Sequence, residues 1–193
     1  ARHLPPQAPE DIPNRSPLRS PPLAESLPFQ PRWPMHGSDI FTNLSPLDHR
    51  YRHANPALFD RLSIYLSEEA NVRYCLRVEA ALTATHAERM GLEVDNAWEL
   101  LEKGAEEIDP AEVYKEEEKT QHNIRAIVNV YKRHIPEILR PLVHLGATSV
   151  DILDTALAMR MRDVTSKVLI PMLAGLLGRL IDLADSQAEV PQV

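Results

Sequence analysis

The sequence predicts an all-α protein, and three observations carry that prediction. Leu, Ala, Glu and Arg dominate the composition, while aromatic residues make up only 5% of the 193 positions; this is a profile of strong helix formers. Apolar residues recur at helical spacing through the middle of the chain. Val72, Leu76, Ala80, Ala84 and Ala87 fall on one stripe, and Ile124, Ile127, Val128 and Tyr131 on another. Finally, the run 168–181 is apolar nearly all round, which suits a helix surrounded by partners better than one lying on a surface.

Taken in order, residues 1–34 hold ten of the 17 prolines and show no apolar periodicity. Such a segment cannot bury enough surface to offset its ordering entropy, so it is read as a disordered or polyproline-like leader. Arg2, Arg15, Arg19 and Arg32 would suit a targeting peptide, but the prolines and Glu10, Asp11 and Glu25 do not. Met35 offers a second reading, in which it is the natural start.

From Pro56 to Met90 the pattern predicts two helices with a break near Ser67, closed by Gly91 as a C-cap. Glu79 lies beside the apolar stripe and is read as a structural hydrogen-bonding group. Residues 92–109 are short-helical and end at Asp109-Pro110, a helix start with Pro in the first turn. Residues 111–134 are predicted to be one helix, which at ~100° per residue puts His122 roughly 160° from Ile124, in line with Ala126 and Asn129. That face by itself suits a solvent-exposed histidine. Pro136 and Pro141 bracket a short segment, and from Val150 to about Gln187 runs the longest helical stretch, with Pro171 as a kink or break.

The net charge of −7 argues against a nucleic-acid partner. No run of about 18 uninterrupted apolar residues is present, Arg179 and Asp182 breaking the best one, so no membrane partner is expected. The single cysteine, Cys75, excludes a disulfide framework, points to a reducing compartment and is read as a small buried hydrophobe. His86, His122, His134 and His144 lack the spacing of a metal site.

Two stretches carry chemistry. In 144–156, His-Leu-Gly-Ala-Thr-Ser-Val-Asp-Ile-Leu-Asp-Thr-Ala, Thr148 and Ser149 precede an apolar-periodic run and Asp151 follows Thr148 at capping-box spacing. Free amides at such a helix start, flanked by two hydroxyls, make a site for a carboxylate or phosphate, although an ordinary helix cap has the same pattern. In 45–53, Ser-Pro-Leu-Asp-His-Arg-Tyr-Arg-His, a turn is followed by a local positive spot that charge alone would assign to a solvated loop.

The 144–156 block resembles the first signature block of the fumarase/aspartase superfamily, lyases that release fumarate by β-elimination. Within it, the block looks most like that of the adenylosuccinate lyases, with carboxymuconate cycloisomerases carrying a similar string. The 45–53 stretch resembles the adenylosuccinate-lyase segment whose Arg-Tyr pair holds the nucleotide phosphate, which carries over to Arg50 and Tyr51. A guanidinium fork matches phosphate oxygens bidentately. Thr120-Gln-His-Asn123 resembles a third segment, whose His faces the substrate; it carries over to Gln121, His122 and Asn123, with Asn123 in place of the usual Asp.

The resemblance implies an N-terminal helical domain over 35–147 and the start of a central helical bundle over 148–193. It implies a homotetramer with shared active sites, a small-molecule nucleotide substrate, no cofactor and a cytoplasmic location. The substrate-binding set it implies is Arg50, Tyr51, Gln121, His122, Asn123, Thr148, Ser149 and Asp151, with His122 and His144 in supporting catalytic roles. The family's general acid and base belong to segments that would follow Val193, so the chain is read as an N-terminal fragment. Another enzyme of the same fold, such as a carboxymuconate cycloisomerase, is the nearer alternative, and a non-catalytic helical oligomerisation module, which would leave the three polar matches accidental, is the more distant one.

Overall fold

The structure is a computed structural model that describes residue 44 and residues 48–191, without the side chains of 48–50. The proline-rich leader, Met35 and the Ser45-Pro46 turn lie outside the described residues. Among those described, every regular element is helical.

Local chemistry sets most boundaries. Helix α1 spans Asp48–Ala54 and α2 Pro56–Leu66. Asn55 caps α2 by accepting from the Leu58 amide at 3.2 Å, with Pro56 in the first turn where its missing N–H is harmless. Ser67 then makes the expected break. It ends α2 and caps α3, Glu68–Arg89, by accepting from the Ala70 amide at 3.1 Å. Glu68 and Glu69 at the start of α3, and His86 and Arg89 at its end, complement the helix dipole. The helix closes on Gly91 at φ +66°, with the Leu92 amide bonding back to the Ala87 carbonyl at 3.0 Å.

Helix α4 is Ala97–Glu106 and α5 Pro110–Thr120, the latter capped by Asp109 onto the Ala111 amide at 2.9 Å. The predicted single helix 111–134 is in fact two. Gln121 adopts φ +51° and ends α5, and α6 begins afresh at Asn123 and runs to His134. His122 is the N-cap of α6, not a residue on a helical face. A 3₁₀ turn, Glu137–Leu142, leads to α7, Ser149–Val164.

Helix α7 passes through one π turn, Thr165–Leu169, into α8, Ile170–Ser186. Pro171 explains the wide turn. Its ring would meet the carbonyl four residues back, that of Lys167, and it offers no N–H to bond it. The π turn bonds the Ile170 amide to the Thr165 carbonyl instead, and the Lys167 carbonyl accepts from Arg61 Nη2 at 3.4 Å. The helix is redirected rather than broken.

Helix α3 is the axis of the core, packed by α2, α4, α6 and α7. Leu76 and Cys75 of α3, Leu101 of α4, Tyr131 of α6 and Ala156 of α7 are fully enclosed. Tyr131 also donates its hydroxyl to the Leu101 carbonyl at 2.9 Å, so this aromatic fills the core with its polar end satisfied. Helix α8 stands apart, with no buried residue. Because α7, the π turn and α8 are continuous, Ser149–Ser186 contains a window with mean hydropathy 1.5, long and apolar enough to cross a membrane by length and composition. The count of uninterrupted apolar residues alone does not predict this.

Candidate active site

Two helix starts meet at one point. Helix α6 begins beside His122 and α7 begins at Ser149, and His122 Nε2 lies 3.4 Å from Ser149 Oγ. The positive ends of two helix dipoles, from helices of 12 and 16 residues, therefore approach the same pair of side chains. As the cap of α6, His122 accepts the Arg125 amide on Nδ1 at 3.2 Å. An Nδ1 lone pair used in this way leaves the ring proton on Nε2, so His122 presents a donor towards Ser149.

The capping box at the start of α7 forms as its spacing predicts. The Thr148 amide and hydroxyl both donate to Asp151 Oδ2, at 2.8 and 3.0 Å. Those bonds, amide first, hold the Asp151 carboxyl below its ordinary value, with His144 adding a weaker attraction. Asp151 thus occupies part of the anion-attracting helix start itself. Ser149 keeps its hydroxyl facing His122.

His144 sits in the turn before α7 at φ +63°, a left-handed conformation that costs a non-glycine residue about 1–2 kcal/mol. Its Nδ1 is 2.6 Å from Oε1 of Glu79, a side chain with no exposed surface. Burial pushes the Glu79 carboxyl up, and the His144 ring and amide, with Lys132 beyond them, pull it back. The next carbonyl, of Leu145, accepts from His86 Nε2 at 2.9 Å if that nitrogen carries the ring proton. Glu79 and His86 are seven residues apart on α3, two turns along one face, and together they pin the 144–145 turn. Glu79 takes the hydrogen-bonding role its position suggests. The part of His86 was missed, although its seven-residue spacing from Glu79 was in view.

The other expected site residues are more scattered. Gln121 donates to the Glu118 carbonyl at 2.8 Å, closing the end of α5. Asn123 accepts from the Ile124 amide at 2.7 Å and lines a groove with Glu68, Asn71, Tyr114 and Glu117. Tyr51 is exposed on α1, and the Arg50 side chain lies outside the described residues. Cys75 is enclosed and its thiol is pushed up to about 12 by burial, so it is no nucleophile at neutral pH. No group of three or more His, Cys, Asp or Glu side chains among the described residues is placed to hold a metal.

No protein-family model matches the chain. It is, however, 34% identical over 119 residues to an adenylosuccinate lyase of Archaeoglobus fulgidus, covering 61% of this chain and 24% of that protein. It is 30% identical over 140 residues to an adenylosuccinate lyase of Methanothermobacter thermautotrophicus, covering 72% of this chain and 30% of that protein. The chain therefore spans only 24% and 30% of the length of these relatives. The chain is thus similar, over part of its length, to part of two adenylosuccinate lyases, and its described residues are all-helical in their regular elements.

Proposed function

We propose that this chain carries the substrate-holding part of an adenylosuccinate lyase site. The reaction is β-elimination of fumarate, in purine nucleotide biosynthesis, from adenylosuccinate and from succinylaminoimidazole-carboxamide ribotide. The observation that supports it best is the 3.4 Å approach of His122 to Ser149, which joins two sequence blocks 27 positions apart at two helix starts. In the elimination a base removes the proton beside a carboxylate, the resulting dianion needs fixed donors, and an acid protonates the departing nitrogen. Ser149, the first-turn amides of α7 and the Nε2–H of His122 suit the donors' part, and Thr148 with Asp151 fixes their position. Gln121 and Asn123 flank His122, where a neutral amide can still bond the substrate. Arg50 and Tyr51 hold the phosphate. These groups bind and orient, so the proton-transferring pair lies outside this set, and the chain alone is expected to be inactive. We further propose a cytoplasmic homotetramer, with sites shared between subunits and α8 entering a central bundle.

Steady-state kinetics of the enzyme that carries this chain tests the assignment. Arg50→Ala removes a charge-assisted bidentate contact worth roughly 1.5–3 kcal/mol. It should raise KM about ten- to hundredfold at little cost in kcat, because the phosphate is held alike in ground and transition states. Ser149→Ala should lower kcat as well, because the carboxylate it holds gains charge as the proton leaves. A carboxymuconate substrate has no phosphate, so an Arg50→Ala variant with unchanged kinetics would favour that chemistry instead.

A further inference from the structure

We infer that Glu79 is a positioning residue for this site, fixing the ring of His144 with Nδ1–H directed into the core and Nε2 directed outward. The inference rests on the reading of the 144–156 turn as part of the substrate site. Its own support is geometric. Glu79 Oε1 lies 2.6 Å from His144 Nδ1, within the range of a charge-assisted bond. The carboxyl has no exposed surface, and its second oxygen, Oε2, is buried without a hydrogen-bond partner. A buried acid with an orphaned oxygen is an expensive way to tether a loop, since an apolar pair of similar volume would hold it more cheaply.

The turn it tethers is itself strained. Among the described residues, the non-glycine residues with positive φ are Asn96, Gln121 and His144. Asparagine tolerates that conformation, but the other two stand at His144 and immediately before His122. Strain that collects at the two candidate-site histidines, with a buried carboxyl holding one of them, is the pattern of a pre-organised site. His144 retains 22% of its side-chain exposure, and its Nε2 has no partner among the described residues. With Nδ1 engaged by Glu79, Nε2 is the nitrogen left to accept from a ligand. His122 is held the opposite way, with Nδ1 accepting from the backbone and Nε2 protonated. The site thus presents one histidine as a fixed donor at Nε2 and the other as a fixed acceptor at Nε2.

Nitrogen-15 NMR of the imidazole rings in the 193-residue chain tests this without requiring activity. In the neutral ring the proton of His144 should sit on Nδ1, with Nε2 showing the unprotonated signal. In Glu79→Gln the weaker neutral acceptor should let the ring sample both tautomers, moving Nδ1 towards the unprotonated signal while the backbone amide spectrum is retained. Glu79→Leu should complete that change, and should it not fold, the wild-type spectrum and the glutamine variant still decide. An unprotonated Nδ1 in the alkaline wild-type protein, or an unchanged ring in Glu79→Gln, overturns the inference. A separate titration with adenylosuccinate, read at His122 and Ser149, bears on the substrate reading alone. Its failure beside a persistently protonated Nδ1 would leave the positioning role intact and remove the nucleotide site.

Discussion

Arg160 shows how much one side chain can organise here. It projects from α7 to the junction of α2 and α3, where its guanidinium donates to the carbonyls of Tyr65 and Leu66, at 2.7 and 2.9 Å, and to Asn71 Oδ1 at 2.9 Å. The two carbonyls are at the C-terminal end of α2, which has no basic residue of its own in its last turn. Arg160→Met should therefore destabilise the chain by about 1.5–3 kcal/mol in urea unfolding, and Lys should not rescue it, because an ammonium lacks the planar fork. Glu116 plays a similar part between α5 and α6, bonded by Arg133 at 2.7 Å, by Asn129 at 3.1 Å and by Lys119 at 3.4 Å. Led by Arg133, these partners hold its carboxyl down from 4.5 to about 2. Because the folded value is the depressed one, the stabilisation is present above about 4.5 and is lost as pH falls towards 2. Acid titration of stability should be less steep in that window for Glu116→Gln, and an identical slope would show that Arg133 contributes nothing there.

At the scale of elements, the sequence marks a boundary wherever a standard cap is present. Ser67, Asp109 and Thr148 are such caps, and Gly91 is a standard terminator. The break between α5 and α6 was illegible for a physical reason. It is made by a left-handed glutamine and a histidine cap, neither of which belongs to the residue types that usually stop or start helices. The same break carries His122 to Ser149, so His122 is exposed as the helical-wheel argument expects, but as the cap of α6 and not on the face of a helix. The anchoring of His144 was hidden differently, because its contact with Glu79 spans 65 positions and periodicity names a face but not a partner. Helix pairing makes its own prediction at Gly104 of α4. A Cβ there would lie 2.6 Å from the His134 carbonyl oxygen and 2.8 Å from Ile135 Cγ2. Alanine gains up to about 1 kcal/mol of helix propensity, but forcing backbone apart in a packed contact costs about 1–3 kcal/mol, so the clash should win. Gly104→Ala should lower the urea midpoint. Gly175→Ala, with nothing within 4 Å of its Cβ, should raise it slightly.

For the whole molecule, the unresolved balance is at α8. Leu169, Leu173, Leu176, Leu180 and Leu183 alternate in steps of four and three, and Ile170, Ala174, Leu177, Ile181 and Ala184 repeat the alternation one position along. Two adjacent seams of this kind give a face wide enough to contact more than one neighbouring helix, as in a bundle. The leucines of the first seam are between 41% and 64% exposed in the isolated chain. Each gains roughly 1.5–3 kcal/mol on full burial, so association has a driving force of several side chains. The same helix could enter a lipid bilayer, but a bilayer would also surround its opposite face, which carries Arg179, Asp182 and Asp185, and a charge near a membrane centre costs about 2.5–3.5 kcal/mol even on the lower scales. Water-exposed margins of a bundle hold such charges cheaply. The chain should therefore sediment as an oligomer whose mass depends on concentration. Leu173→Glu with Leu180→Glu, on the first seam, should return it to a monomer without loss of helical signal from α3 to α7. Ala158→Glu, on the exposed side of α7, should leave assembly unchanged. A wild-type chain that stays monomeric at all concentrations but pellets with lipid vesicles would mean that α8 is covered by membrane, and the proposed bundle would have to be abandoned.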